Sequence, residues 1–167
     1  MPDAVVITIS DSRSAGERAD TSGPAAEEFL RDLGLTISDR RVVPDDIPAI
    51  QQAVRDGAGR AALIVTTGGT GIGPRDVTPE ALTPLFDREL PGFGEIMRTG
   101  TYSRTPLSII SRGGAGLIGN TLIVMLPGSL KAVRESLALV GPAIKHVLKI
   151  ASGKPIDCQE ETGAAGR

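Results

Sequence analysis

Apolar side chains occupy consecutive positions, broken only by Thr8, in three short runs at residues 4–9, 61–65 and 122–126. Runs of this length, rich in Val and Ile and without alternation, predict strands covered on both faces. Apolar residues return at helical spacing over residues 24–33, 47–56, 79–86 and 129–140, and residues 35–43 read as a further, more polar strand. The opening order is therefore strand, helix, strand, helix, strand, helix. That alternation predicts an α/β fold of three αβα layers around a mostly parallel, doubly wound sheet.

The punctuation residues agree. Asp45 or Asp46 can cap the helix that carries Pro48 in its first turn, and Thr78-Pro79-Glu80 supplies a cap, a proline for the first turn and an acid near the positive helix end. Gly34 closes the first helix. Residues 107–111 predict a short strand, Gly119-Asn120 predicts a hairpin or bulge between two apolar stretches, and Pro142 predicts the start of a last helix reaching about Ile150. From Ser152 onward the residues are small and polar without periodicity. The expected organisation is one domain over residues 1–151 followed by a loose tail, 152–167.

Composition narrows the chemistry. One cysteine (Cys158) in 167 residues excludes an internal disulfide and a four-cysteine zinc site, and one histidine (His146) argues against a histidine metal centre. His146 reads as a structural residue of the last helix. Charge is nearly balanced, 18 Lys plus Arg against 20 Asp plus Glu, and only four residues are aromatic, three Phe and one Tyr, so nucleic acid is not an expected partner. No apolar run is long enough to cross a membrane, and Met1-Pro2-Asp3 opens no signal peptide, which predicts a cytoplasmic protein.

The candidate chemistry lies in the loops that follow the strands, because open parallel sheets bind ligands beyond the carboxyl ends of their strands. The stretch TTGGTGIGPRDVTPEA, residues 66–81, follows a predicted buried strand and opens a helix. Gly68, Gly69, Gly71 and Gly73 allow close backbone approach to a phosphate, and Thr67, Thr70 and Thr78 add hydroxyls. The stretch lacks the Gly-Lys-Ser/Thr ending of a P-loop and the spacing of a dinucleotide fingerprint. Asp76 is a candidate Mg2+ ligand beside Arg75, or else the cap of a turn. Of Asp45 and Asp46, one can cap a helix and leave the other free for chemistry. Ser10, Asp11 and Ser12 after the first strand, and Pro127, Gly128 and Ser129 before a helix N-terminus, complete this edge.

At these residues the sequence resembles the MogA/MoaB-like molybdenum cofactor biosynthesis family, which includes the G domains of gephyrin and its plant counterparts. The shared segments are ISDS (residues 9–12), VPDD (43–46), GGTGIGPRDVTPEA (68–81), PGFGEIMR (91–98), TPLSIISR (105–112) and LPGS (126–129), in the family's order. The resemblance implies adenylyl transfer from ATP to molybdopterin with Mg2+, Asp45 and Asp76 as the catalytic and metal-binding carboxylates, and Thr101 in place of a pterin-contacting serine. It also implies a homotrimer and a MoeA-like molybdenum-inserting partner. The intact PRDVTPE segment favours the adenylyltransferase branch. Met125 departs from the asparagine found there in many adenylyltransferases, which leaves a non-catalytic, MoaB-like binding or scaffold protein as the alternative.

Overall fold

The computed structural model describes residues 2–153; most of the predicted tail, with Cys158, lies outside the described residues. Six strands form one sheet in the order β2-β1-β3-β6-β5-β4. The predicted buried runs become β1 (Asp3–Ile9), β3 (Leu63–Thr67) and β6 (Thr121–Leu126), and the polar run becomes the edge strand β2 (Thr36–Val43). These four are parallel to one another, whereas β5 (Gly114–Ile118), antiparallel to β6, and β4 (Arg88–Glu89) add an antiparallel end.

Two separate cores explain why the central strands are apolar at consecutive positions over most of their length, with buried threonines at Thr8, Thr66, Thr67 and Thr121. Ala4, Val6, Leu63, Val65, Leu122 and Val124 face one core, and Val5, Ile7, Ile9, Ile64, Ile123 and Met125 face the other. Successive strand residues point to opposite faces, so a strand sandwiched between two helical layers needs largely apolar side chains on both. The first core is covered by α2 (Ser22–Asp32), α5 (Pro91–Thr101) and α6 (Leu130–Ala151), the second by α3 (Ile47–Gly57) and α4 (Thr78–Leu82). The three-layer expectation is met.

Four local expectations are revised. The segment predicted as a strand at residues 107–111 is a 3-10 turn, Pro106–Ile110, since Pro106 removes a ladder donor and no neighbouring strand lies beside it. The two helices expected on either side of Pro142 are one 22-residue helix, α6, in which Pro142 is tolerated on the exposed side. The helix expected over residues 79–86 stops at Leu82 and tightens into a 3-10 turn, Thr83–Leu85, around Pro84. The turn after β1 contains a four-residue helix, α1 (Asp11–Ser14). The hairpin at Gly119-Asn120 forms, joining β5 to β6.

Candidate active site

The order of the sheet decides where a ligand can sit. From β1 the chain moves outward to β2 and then back across to β3 on its other side, so the loops leaving the carboxyl ends of β1 and β3 diverge and open a crevice. The loops after β2 and β6 border the same crevice. It contains two depressions that share Gly128 and Ser129.

The first depression, about 360 Å³, is polar and is lined by Ser10, Asp45, Asp76 and the Gly68-Gly69 backbone, with Arg13 and Arg18 on its rim. Asp46 caps α3 by accepting from the Ala49 amide at 3.0 Å, which frees Asp45 from that task. Asp45 instead exchanges bonds with Asp11: the Asp11 amide donates to Asp45 Oδ2 at 2.9 Å and the Asp45 amide donates to Asp11 Oδ1 at 3.0 Å. Arg75 grips the same Asp11 carboxylate through Nε at 2.9 Å and Nη2 at 3.0 Å. This chain of contacts ties together the loops after β1, β2 and β3.

The electrostatics of the two acids diverge. Asp11 titrates below the ordinary carboxylate range because the Arg75 guanidinium and the Asp45 amide bond its ionised form. Asp45 is pushed above that range, chiefly by partial burial and further by the charges of Asp11 and Asp76, against the opposing Asp11 amide and Arg75. Asp76 accepts from the Gly73 amide at 2.8 Å through Oδ2, so it does cap its own turn, while Arg75 reaches across to Asp11 rather than to Asp76.

The glycine-rich loop is shaped by contact on both sides. Gly68 has φ +98° and its missing Cβ would run into the Ile9 carbonyl oxygen; Gly69 has φ +66° and a Cβ there would meet Thr78 Oγ1. Arg112 pins the loop from outside, donating to the Gly71 carbonyl at 2.8 Å and the Asp76 carbonyl at 2.7 Å and pairing with Glu80, whose carboxyl it holds below its usual range. Sequence reasoning gave Arg112 no role. Its signal was present only as a basic residue ending a motif forty residues away from the loop it holds.

The second depression, about 300 Å³, lies between α5, the Pro106–Ile110 turn and the start of α6. Met97, Leu107, Ile110 and Ala132 give it apolar walls, Thr70 and Gly71 line it as well, and Gly128 and Ser129 form its border with the polar depression. Thr101 also lines it, almost wholly buried, with its hydroxyl donating to the Met97 carbonyl at 2.7 Å. Arg98 and Glu135 also line it and were missed, because nothing in the sequence shows that α5 and α6 converge here.

Two expected ligand contacts are corrected. Thr67 is wholly buried and its hydroxyl pairs with that of Ser22 at 3.0 Å beneath the loop; Thr78 is also wholly buried and donates to the Gly68 carbonyl at 2.8 Å. Both support the loop from within and neither faces the crevice. Ser10 accepts from the Arg13 amide and lies 3.3 Å from the Ser12 hydroxyl, so these two serines chiefly organise the turn after β1. Ser129 caps α6 by accepting from the Ala132 amide at 3.2 Å. Pro127 and Gly128 bring that helix start against Gly68. Met125 is buried in the second core and lines neither depression.

A family described as "Probable molybdopterin binding domain" matches residues 5–146. The chain belongs to this family. The resemblance read from the motifs is thereby established, and the members are similar across the whole domain. Over 153 residues the chain is 42% identical to the molybdopterin adenylyltransferase of Pyrococcus furiosus, covering 86% of this chain and 88% of that protein. It is 40% identical to the molybdenum cofactor biosynthesis bifunctional protein of Synechococcus elongatus, covering 90% of this chain and 47% of that one. The chain thus spans about half or less of the length of the first curated relatives it matches. Among solved structures, the molybdopterin biosynthesis enzyme MoaB of Thermus thermophilus superposes with a TM-score of 0.87 at 44% identity, covering 93% of this chain and 99% of that one.

Proposed function

We propose that this chain is a molybdopterin adenylyltransferase. A terminal phosphate oxygen of molybdopterin attacks the α-phosphorus of ATP, a new P–O bond forms, and the bond to the β-phosphate bridge breaks to release pyrophosphate. The observation that carries this reading is the convergence of Asp45, Asp76 and the Gly68-Gly69 backbone in one polar depression that adjoins an apolar one. Phosphates and a ring system need that pair of environments side by side. Similarity to the Pyrococcus furiosus adenylyltransferase over 86% of this chain and 88% of that protein supports the same reading.

The protein's part is positioning and charge management, because phosphoryl chemistry of this kind asks for little covalent participation. Asp45 and Asp76 are the residues to hold Mg2+, which supplies positive charge against the phosphates in flight. The donor set fits that ion. Asp45 is an ionisable group crowded by two like charges, Asp11 and Asp76, which a cation relieves. Mg2+ characteristically takes one or two carboxylates and completes its shell with water and phosphate oxygens. Asp11 and Arg75 hold the Asp45 backbone and carboxylate in place, the start of α6 at Ser129 favours an anion, and Arg13 and Arg18 offer charge to the polyphosphate.

We further infer a homotrimer that passes its product to a MoeA-like molybdenum-inserting protein in the cytoplasm. Exposed Ile96, Tyr102 and Ile109, which lie outside the groove lining, support assembly, since clustered apolar surface of this kind favours burial against another chain. No helix among the described residues is long and apolar enough to cross a membrane.

Pyrophosphate release in the presence of ATP, Mg2+ and molybdopterin tests the activity. Asp76→Ala is expected to lower turnover by about 10²- to 10³-fold, the scale of losing one preorganised electrostatic partner of a transition state, while molybdopterin still binds. Wild-type turnover in that variant would show that Asp76 has no catalytic part.

A further inference from the structure

The apolar depression carries one acid. Of the side chains that line it, Glu135 is the sole carboxylate and Arg98 the sole cation, and Arg98 already donates to the Ser111 and Gly113 carbonyls at 3.3 Å and 3.0 Å. Arg98 therefore serves the wall of the groove. Glu135 is different. Its side chain is 19% exposed, set on α6 among apolar and hydroxyl groups, and its carboxylate receives a bond from Arg104 Nε at 3.2 Å. Each carboxylate oxygen can accept more than one hydrogen bond, so the Arg104 contact leaves capacity for further donors.

We propose that Glu135 is the specificity-determining residue that recognises the 2-amino-4-oxopyrimidine edge of the pterin, an assignment that rests on the molybdopterin reading above. That edge presents two adjacent N–H donors, at N3 and the 2-amino group, in the spacing that a single carboxylate accepts side by side. The faces of the ring are apolar, which suits Met97, Leu107, Ile110 and Ala132. Distance along the helix agrees as well. Glu135 stands six residues beyond Ser129, roughly 9 Å at the α-helical rise, so one acts at the phosphate end and the other at the ring end of a single elongated ligand. The acceptor also discriminates: a ring lacking the donors displaces water from the half-buried carboxylate without replacing the hydrogen bonds that Arg104 does not supply.

The test compares Glu135→Gln and Arg104→Ala with the wild-type full chain. Glu135→Gln is expected to raise the Kd and KM for molybdopterin by about 10- to 100-fold, the effect of losing a charge-assisted hydrogen bond, with turnover at saturation, KM for ATP and melting temperature little changed. Arg104→Ala, which removes the ion pair but leaves the carboxylate, is expected to bind molybdopterin as tightly as wild type or more so. A matched pair of competitors reads the edge directly. Pterin should displace molybdopterin from the wild type at lower concentration than lumazine, which carries oxygen in place of the 2-amino group, and Glu135→Gln should erase that difference. An unchanged Kd in Glu135→Gln, an equal loss in Arg104→Ala, or an equal effect of the two competitors on wild type, including none, overturns the assignment. Failure of the wild type to bind molybdopterin at all overturns the functional reading itself, which separates the two.

Discussion

At Asp45, folding and chemistry pull in opposite directions. Partial burial and the charges of Asp11 and Asp76 disfavour the ionised carboxylate in the folded protein, which raises its pKa. For an acid whose folded pKa is raised, the associated stability is present below the unfolded value and is lost as pH rises through the folded value. At neutral pH the charged Asp45 is therefore a cost to the fold. Asp45→Asn keeps an acceptor for the Asp11 amide while removing the charge. In chelator-treated protein at pH 7 this variant is expected to melt above wild type, with the gap closing near pH 4 and below, where the unfolded aspartate also protonates. Its pyrophosphate release should fall sharply. Such a pairing, stability gained as activity is lost, is what a site held ready for a cation should show. Sequence alone gave the choice between Asp45 and Asp46 as a capping question. The hydrogen bond from Ala49 to Asp46 answers it, and a bond formed three residues away is as local as any structural fact can be.

Among the elements, the glycine-rich loop has the least freedom to change. Gly68 adopts φ +98°, and the atom that a side chain there would strike is the Ile9 carbonyl oxygen of the neighbouring strand, a backbone group that cannot rotate aside. Gly68→Ala is expected to destabilise the protein by about 1–3 kcal/mol from backbone strain alone, with added loss from the clash, and to reduce activity by displacing the loop. Thermal melting and pyrophosphate release measured on the same preparation check both. The loop's position after a buried strand and before a helix was legible from hydrophobic pattern and proline placement. Its supports were not. Arg112, Thr67 and Thr78 act on it from the side or from beneath, through contacts that depend on which elements pack together. Pattern also misread the proline-bearing segments: Pro142 lies within α6, on a side where solvent accommodates the lost bond, and Pro106 marks a 3-10 turn in place of a strand.

At the scale of the whole molecule, exposed apolar side chains gather on α5 and the following turn, with Ile109 57% and Tyr102 48% exposed. A chain of 17.3 kDa that covers this surface by self-association should run in light scattering at about three times that mass, and a monomeric mass at working concentration would contradict the trimer. The sequence by itself determined the layers and the central parallel strands, because a strand buried on both faces needs largely apolar side chains without alternation and that requirement is written into consecutive residues. It also determined which loops hold the glycines and carboxylates, since strand order along the chain places their carboxyl ends at one edge. Only the tertiary structure decided which of those residues meet. Asp11, Asp45 and Arg75 come from three different loops, and Glu135 enters a groove with Thr101 and Leu107 from elsewhere in the chain. Such meetings depend on the packing of helices across a sheet, a long-range property that no local period encodes.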